Sequence, residues 1–301
     1  MKIAITGATG FLGRALVASL IERGDTPILF SRAQTAERNV VRWQPSAGEV
    51  NRDDLARVGS IDAFVHLAGA GIADKRWTAG RKKEILESRT NGTALLAKTI
   101  VGLETPPAVV LSGSAIGYYG SKGDEVLTEA SPPGEGFLAD VCVAWEDAAL
   151  PIKDAGITLT WLRTGIVTGS HGGALKKQLP LFKTGVGGRL GSGRQYLSPI
   201  SLHDEIQAIL FLLDNKIAGP VNLVAPEPIT NREFTRALGA AVHRPAIAAV
   251  PRLALDIALG SELVSEALMA SQRVIPATLE AHGFVFKHRT IDQILLAALE
   301  N

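Results

Sequence analysis

The amino-acid sequence predicts an α/β protein in which a doubly wound parallel sheet is joined to a smaller, mostly helical C-terminal lobe. Two patterns lead to this prediction. Apolar runs typical of buried strands occur at 2–6, 26–30, 63–67, 108–111, 158–162 and 221–225. Segments with helical periodicity lie between them, at 11–22, 80–101, 137–150 and 203–214. Uninterrupted apolar strands that alternate with helices are typical of a parallel sheet covered on both faces.

The character of the chain changes after Thr168. Residues 170–199 contain seven glycines and no acidic residue. From Pro226 onward, helical patterns at 230–242, 252–259 and 261–271 are separated by prolines. We therefore predict two units, a large domain formed by 1–169 and 203–225 and a smaller lobe formed by 170–202 and 226–301.

Composition excludes several classes of protein. Of the 301 residues, 46% are hydrophobic and 20% are charged, a balance typical of a soluble globular protein. The 31 basic and 30 acidic residues give no excess charge for nucleic acid, and no apolar run is long enough to span a membrane. Cys142 is the only cysteine and the histidines show no metal-ligand spacing, so we expect neither a disulfide nor a metal. The N-terminus shows no secretory signal, and a cytoplasmic location is expected.

A glycine-rich loop joins the first strand to the first helix. Gly7, Gly10 and Gly13 stand in GATGFLG with the spacing G-x-x-G-x-x-G. The first permits a tight turn, the second lets the backbone approach a pyrophosphate, and the third lets helix and strand pack closely. Amides at the helix start then face the phosphates, which predicts a Rossmann-type nucleotide-binding domain. The expected cofactor contacts in this loop also include Thr9, Phe11 and Leu12.

The end of the second strand indicates which dinucleotide binds. Folds that bind NAD usually carry an acidic residue there, which accepts hydrogen bonds from the ribose hydroxyls. Here the strand ends in Ser31 and Arg32, and no carboxylate follows until Glu37. A hydroxyl followed by a guanidinium suits the 2′-phosphate of NADP, so NADP(H) is the expected cofactor. The alternative is that Arg32 is an ordinary solvated arginine.

Several segments, in chain order, carry a resemblance to a known family. They are TGATGFLG (6–13), DAFVHLAGAG (62–71), SGSAIGYYG (112–120), LRTGIVTG (162–169) and a His-Asp pair at 203–204. With them the chain resembles the extended short-chain dehydrogenase/reductase superfamily, which includes NAD-dependent epimerases and dehydratases. It is most similar to the atypical "epimerase family protein" subgroup, which has its own C-terminal domain. The segments that match this subgroup are RKKEILESR (81–89), Trp-Glu (145–146), GSGRQYLSPI (191–200), VAPEPITNREF (224–234) and SQRVIP (271–276).

The resemblance implies roles for residues that match the family's motifs. Leu67-Ala68-Gly69 matches the turn that passes beneath the adenosine-side ribose and phosphates. Arg89 stands where extended members carry an asparagine, and the subgroup implies that Glu84 and Arg89 both line the cofactor site. For Glu84, a position on a solvated helix face is an open alternative. Val167, in LRTGIVTG, is also an expected cofactor contact.

The resemblance also has a departure at the catalytic position. The superfamily's reactive pair is a tyrosine and a lysine spaced Y-x-x-x-K, in which the lysine lowers the pKa of the phenol. The corresponding helix here contains neither residue, and alignment places Leu138 and Cys142 in their positions. Ser114 falls at the superfamily's catalytic serine, and Tyr118 follows it closely. The candidate proton donors are therefore Ser114, Tyr118 and water.

The glycine-rich stretch 170–199 predicts the kind of ligand. Its basic residues have no acidic neighbour within the stretch, and its glycines let backbone amides approach an anion. The segment also corresponds to the substrate-facing insertion of extended members. We therefore expect an anionic small-molecule substrate, contacted by Arg194 and Gln195. The basic residues of the stretch are Lys176, Lys177, Lys183, Arg189 and Arg194.

Two kinds of function remain compatible with the sequence. The first is an NADP(H)-dependent oxidoreductase or epimerase-like enzyme that acts on a hydroxyl- or carbonyl-bearing metabolite without the usual tyrosine and lysine. The second is a catalytically silent NADP(H)-binding module, such as a redox sensor or a partner-binding protein. The two-lobed plan favours the enzyme, and the missing pair favours the module. The sequence specifies no oligomeric state.

Overall fold

The computed structural model describes residues 1–33, 37–170 and 172–300. Within these ranges the strands, in chain order, are β1 Lys2–Thr6, β2 Thr26–Ser31, β3 Val40–Gln44, β4 Glu49–Val50, β5 Ala63–His66, β6 Val109–Ala115, β7 Val126–Leu127, β8 Thr158–Thr164, β9 Ile166–Gly169, β10 Gly188–Leu190, β11 Tyr196–Leu197, β12 Pro199–Ser201, β13 Gly219–Leu223, β14 Ile229–Thr230, β15 Ala248–Val250 and β16 Arg273–Val274.

The helices in the same ranges are α1 Phe11–Glu22, α2 Arg52–Val58, α3 Ala79–Val101, α4 Phe137–Asp147, α5 Leu150–Asp154, α6 Gly173–Lys183, α7 Leu202–Asn215, α8 Asn231–Ala241, α9 Arg252–Leu259, α10 Ser261–Leu263, α11 Ala277–Ala281 and α12 Ile291–Glu300. A 3₁₀ turn covers Ile116–Tyr119, and a π-helical turn covers Val264–Leu268.

The central sheet has its strands in the order β13-β8-β6-β5-β1-β2-β3-β4. Neighbouring strands are parallel except for β3 and β4, which are antiparallel. The chain starts in the middle at β1, adds β2 and β3 on one side, and then adds β5, β6 and β8 on the other. This reversal beside β1 is the doubly wound order of a Rossmann fold, so the predicted fold class is confirmed.

Both faces of the central sheet are buried under helices. On one face Ile5 packs in a cluster with Leu16 of α1 and Ile209 of α7. On the other face Phe64 packs in a cluster with Leu96 of α3. Because successive residues of a strand point to opposite faces, a strand covered on both sides must be apolar throughout. That requirement is the reason for the continuous apolar runs in the sequence.

Helices α6, α8 and α12 enclose a second, smaller core. Phe182, Phe234 and Leu295 lie in it, one from each helix. These helices come from the two stretches that we expect to form the smaller lobe. The strand β12, inside the first stretch, pairs in parallel with β9 of the large domain. This pairing joins the end of the first stretch to the large domain next to the expected boundary at 203.

The sequence patterns do not predict β3, β4, α2, α6 or α12. In β3 the polar residues Arg42 and Gln44 alternate with apolar ones, so the strand lacks the continuous run of the central strands. Helix α6 lies in the glycine-rich stretch and has Pro180 inside it, so its local signal is that of a loop. The helix expected at 261–271 is short, because the π-helical turn ends at Leu268.

Candidate cofactor and active site

The glycine-rich loop lies between β1 and α1, at the carboxyl edge of the central sheet. Gly7 has a φ of 73°, and a Cβ there would lie 2.8 Å from the backbone of Leu67. A Cβ on Gly13 would lie 2.2 Å from the carbonyl oxygen of Gly7. Only glycine fits at both positions, because the loop packs directly on the ends of its neighbours. Thr9 and Gly10 at the tip are exposed, beside the free amides at the start of α1.

The structure brings Phe11, Leu12 and Val167 together on one side of this loop. Val167 is buried, and Phe11 and Leu12 are half-buried against the same apolar cluster. The Phe11 ring also lies against the last residue of β9, since a Cβ on Gly169 would come within 2.6 Å of it. The predicted contacts in the loop and in β9 therefore pack against one another.

A buried chain of hydrogen bonds ties the loop to the end of β5. The Thr6 hydroxyl oxygen accepts from the amides of Leu67 and Ala68, at 3.2 and 3.3 Å. It also lies 2.6 Å from Nδ1 of His66, whose Nε2 lies 3.0 Å from the hydroxyl of Thr93. Complete burial lowers the pKa of His66 to about 4, so the imidazole is neutral at pH 7. These contacts hold the Leu67-Ala68-Gly69 turn in place.

Ser31 and Arg32 lie at the carboxyl end of β2, next to β1 in the sheet. The Ser31 hydroxyl accepts a hydrogen bond of 3.1 Å from the amide of Ala33. The side chain of Arg32 is exposed. Both residues therefore lie on the same sheet edge as the glycine-rich loop, with the guanidinium open to a ligand.

Arg89 and Glu84 lie in different surroundings on α3. Arg89 is largely buried, and its Nη1 donates to the carbonyl oxygen of Ala70 at 3.0 Å. Its guanidinium also stacks on the ring of Trp145, 4.9 Å from the ring centroid, and burial lowers its pKa. Glu84 instead forms a 2.6 Å ion pair with Arg81, with 56% of its side chain exposed. The structure therefore places Arg89 against the predicted cofactor turn, whereas a cofactor contact of Glu84 stays a prediction.

Ser114 belongs to a buried polar network that sequence reasoning did not find. Its hydroxyl donates to Oε1 of Glu146 at 2.7 Å. The same carboxylate accepts from Nε and Nη2 of Arg163, at 2.8 and 2.9 Å. Only 4% of Ser114, 8% of Glu146 and 3% of Arg163 is exposed. A buried ion pair therefore stands directly behind the candidate catalytic serine.

Tyr118 and Tyr119 both contact Arg163 of this network, and their rings pack edge to face with centroids 5.3 Å apart. The hydroxyl of Tyr119 accepts from Nη1 of Arg163 at 3.0 Å and donates to Oδ1 of Asn222 at 2.7 Å. Burial raises the pKa of Tyr119 to about 12, so its phenol stays protonated. Tyr118 is half-buried, with the Arg163 guanidinium 3.5 Å from its ring centroid. Of the two phenols, that of Tyr118 is the more accessible.

Leu138 and Cys142 occupy the helix face next to the end of β6. A Cβ on Gly117, in the 3₁₀ turn, would lie 3.5 Å from the sulfur of Cys142 and 3.6 Å from Cβ of Leu138. Burial, together with the charge of Glu146, raises the pKa of Cys142 to about 12. The thiol is therefore neutral, and neither residue supplies the acid or base that a tyrosine and a lysine would supply.

A carboxylate from the C-terminal region closes the start of α4. Glu266, on the π-helical turn, accepts from the amides of Phe137 and Leu138 at 3.0 and 2.8 Å. Gly136 precedes the helix with a φ of 109°, and a Cβ there would lie 3.1 Å from this carboxylate. The C-terminal lobe therefore reaches the helix that carries the tyrosine and lysine in ordinary members.

The basic stretch 170–199 is only partly without acidic partners. Lys177 donates to the carbonyl oxygen of Ala73 at 2.8 Å and lies 3.6 Å from the carboxylate of Asp74. The expectation that the five basic residues of this stretch lack acidic partners is thus wrong for Lys177, because a loop distant in sequence supplies its partner. Arg194 is exposed.

Gln195 is buried inside the smaller lobe. Its Nε2 donates to the carbonyl oxygens of Leu190 and Leu268, both at 3.3 Å. The amide nitrogen is therefore occupied by the lobe itself, and contact with a substrate remains a prediction for this residue. In the described ranges no group of three or more His, Cys, Asp or Glu side chains is arranged to hold a metal ion. No helix in those ranges is long and apolar enough to cross a membrane.

Comparisons with known proteins agree with this architecture. The model of the NAD dependent epimerase/dehydratase family matches residues 3–223, and that of a domain of unknown function, DUF1731, matches residues 250–298. An epimerase family protein of Mycobacterium bovis is 40% identical over 97% of this chain and 96% of its own length.

Two solved structures resemble the whole chain. The human epimerase family protein SDR39U1, crystallised with NADPH, is 32% identical, with a TM-score of 0.90 over 100% of both chains. A nucleoside-diphosphate sugar epimerase from Corynebacterium glutamicum is 33% identical, with a TM-score of 0.81 over 99% of this chain and 58% of its own. Since the family model covers well over half of the residues and the relatives span nearly all of them, this chain belongs to the NAD dependent epimerase/dehydratase family.

Proposed function

We propose that this protein is an NADP(H)-dependent oxidoreductase or epimerase-like enzyme that acts on a hydroxyl- or carbonyl-bearing, anionic metabolite. The observation that carries the proposal is the glycine-rich loop at the carboxyl edge of the sheet, which we call the cradle. A Cβ at Gly7 or Gly13 would collide with backbone there, and the exposed Arg32 lies on the same edge. The NADPH in the crystal structure of a relative 32% identical to this chain supports the choice of dinucleotide. The single cysteine, buried and unpaired, is compatible with a cytoplasmic location.

The residues present fit a bound NADP(H). Free amides at the start of α1 face the pyrophosphate position, and Arg32 can pair with a 2′-phosphate. Arg89, against Gly69, adds positive charge beside the same turn. When bound, the cofactor supplies or accepts the hydride, and positioning of the ligand against it does most of the catalytic work. Ser114 orients the ligand oxygen, and Tyr118 or water exchanges the proton.

Loss of the cradle tests the cofactor part of this proposal. Gly13→Ala is expected to abolish NADPH binding, because its Cβ would lie 2.2 Å from the carbonyl oxygen of Gly7. Gly80→Ala is the control, since a Cβ there meets nothing nearer than 4.0 Å. Calorimetry measures NADPH binding, and NADPH oxidation is then followed with a panel of sugars, quinones and aldehydes. Full NADPH affinity in Gly13→Ala would overturn the assignment of the cofactor site.

A silent NADP(H)-binding module is the second candidate. The buried, neutral Cys142 and the apolar Leu138 favour it, since they remove the family's proton-transfer pair. Tight NADPH binding without oxidation across the whole panel would support the module. Oxidation above the level of Gly13→Ala would support the enzyme.

The proposal of an anionic ligand rests on the turn between β10 and β11. Arg232 donates to the carbonyl oxygen of Ser192 at 3.3 Å, and a Cβ on Gly193 would lie 3.1 Å from Cδ of Arg189. With the exposed Arg194, three guanidinium groups gather at one turn, and such a group attracts anions. Arg194→Ala is expected to weaken pyrophosphate binding to NADPH-saturated protein, with a loss that diminishes as salt rises. Unchanged affinity in Arg194→Ala would count against it, and Lys83→Ala, on α3, is the control.

A further inference from the structure

The hydroxyl of Ser114 donates its proton to Glu146. Ser114 lies near the carboxyl end of β6, 2.7 Å from Oε1 of Glu146, and Arg163 holds both oxygens of that carboxylate. A carboxylate paired at both oxygens with a guanidinium acts as a hydrogen-bond acceptor toward its other neighbours. A serine hydroxyl has one proton and two lone pairs. The proton must therefore point at Glu146, which leaves only lone pairs of Ser114 for any other group.

The rest of the network holds this arrangement in place. Nη1 of Arg163 donates to the hydroxyl of Tyr119 at 3.0 Å and to the carbonyl oxygen of Glu129 at 3.3 Å. Tyr119 in turn donates to Asn222 at 2.7 Å. Arg163 is thus tied on three sides and cannot leave Glu146 without breaking several buried hydrogen bonds. Removal of one partner from a buried ion pair is costly, so Glu146 keeps its position beside Ser114.

We propose that Glu146, held by Arg163, makes Ser114 a hydrogen-bond acceptor toward the cleft, so that the site selects the hydroxyl over the carbonyl member of a redox pair. This inference rests on the proposed function, in which the reactive carbon of the ligand lies beside Ser114. A hydroxyl can donate to a lone pair of Ser114, whereas a carbonyl oxygen facing Ser114 gains no hydrogen bond from it and is left one bond short in a buried site. Glu146 and Arg163 act through Ser114 and are therefore positioning residues.

The direction of the proton can be tested without a substrate. In Ser114→Cys, made with Cys142→Ala so that one thiol remains, infrared spectroscopy reports the S–H stretching band. We expect this band at a lower frequency than that of a free thiol. We also expect the band to leave that position when Glu146→Gln is added. A band at the free-thiol frequency overturns the proposal. NADPH titration of the same samples tests the proposed function separately, because it does not depend on where this proton points.

The selection of the ligand is tested with matched pairs in complexes that cannot react. Alcohols are titrated into NADPH-loaded protein and the corresponding carbonyls into NADP⁺-loaded protein, with binding followed by NMR saturation transfer. The pairs are lactate and pyruvate, glycerol 3-phosphate and dihydroxyacetone phosphate, and cyclohexanol and cyclohexanone. For the pairs that bind, the alcohol is expected to bind about tenfold more tightly or better, the cost of one unmade buried hydrogen bond.

Variants separate the role of Ser114 from a general effect on the cleft. Ser114→Ala is expected to bring the two affinities of a pair to within about twofold of each other. Ser114→Thr, which keeps a hydroxyl, and Ser112→Ala, which removes a buried hydroxyl from the same strand, are expected to keep the preference. Three results would overturn the inference. They are equal binding of alcohol and carbonyl to the wild-type protein, a preference for the alcohol that survives Ser114→Ala, and no binding of either member of any pair to the loaded protein.

Discussion

We expect Arg32 to determine the choice between the two dinucleotides. Its exposed guanidinium follows Ser31 at the end of β2, where an NAD-binding fold would place a carboxylate. Arg32→Ala is expected to weaken NADPH binding about tenfold or more, because a charge-assisted pair with the 2′-phosphate contributes about 1.5–3 kcal/mol. NADH lacks that phosphate, so its affinity should change little. Calorimetry with both dinucleotides measures the difference.

The matched control for this substitution is Arg52→Ala. Arg52 is also an exposed arginine, but it begins α2 rather than ending a strand at the cofactor edge. Its loss should leave both affinities unchanged. Equal weakening of NADPH and NADH binding in Arg32→Ala would contradict a role in reading the phosphate.

The candidate site could be predicted only where its residues carry a local signal. The glycine-rich loop has one, because its spacing and its place between a strand and a helix suffice. Arg163 carries only part of a local signal, because a charged residue inside an apolar strand requires a buried partner. Nothing local says that the partner is Glu146, 17 residues earlier on a different element. Thr6 and His66 meet across two strands 60 residues apart and gave no signal at all.

At the scale of elements, the same distinction separates the correct predictions from the missed ones. Helix α1 has the predicted bounds, Phe11–Glu22, because an amphipathic pattern between two glycine turns is a local property. The hairpin of β3 and β4 depends on its neighbours, since β3 is held by parallel pairing with β2 and by packing of Trp43 under α3. Its sequence alone is equally compatible with a loop.

The start of α4 is an element whose stability depends on a distant carboxylate. Glu266 accepts from the amides of Phe137 and Leu138 and thereby satisfies two free donors of the helix. Glu266→Gln is expected to lower the free energy of unfolding by about 1 kcal/mol, through loss of charge at a helix N-terminus and of one acceptor oxygen. Urea denaturation measures the change.

The neighbouring residue Glu262 provides the comparison for that experiment. It forms an ion pair with Lys82 in which both side chains are substantially exposed. Because solvent screens such pairs, Glu262→Gln should cost less, about 0.5 kcal/mol or below. An equal loss of stability in the two variants would mean that Glu266 does not stabilise the protein by capping α4.

On the scale of the whole molecule, one set of contacts joins the C-terminal region to the starts of α3 and α4. Besides Glu262 and Glu266, the carbonyl oxygen of Ile257 accepts from Arg76 at 3.4 Å. These three contacts reach the first turn of α3, the segment that leads into it, or the start of α4. The first part of the region matched by the domain of unknown function therefore packs against the two helices that carry Arg89 and Leu138.

The stability of the whole fold should depend on pH through Glu205. This residue in α7 is completely buried, with Oε1 accepting from the hydroxyl of Thr164 at 2.9 Å. Oε2 has no hydrogen-bond partner among the described residues. Burial raises the pKa of Glu205 to about 8, from 4.5 for an unperturbed glutamate. Between these values the folded protein holds a proton that the unfolded chain has released, so unfolding is favoured as pH rises.

The contribution of Glu205 is therefore fully present below about pH 4.5 and is lost as pH rises through about 8. Glu205→Gln keeps the shape of the side chain and cannot ionise. Relative to the wild-type protein, this variant should gain stability as pH rises from 5 to 8, by at most about 1.4 kcal/mol per pH unit.

Urea denaturation at several pH values measures the difference in the free energy of unfolding between the two proteins, in which the contributions of the other titrating groups cancel. A difference for Glu205→Gln that does not vary with pH would mean that the buried carboxyl titrates alike in the folded and unfolded states.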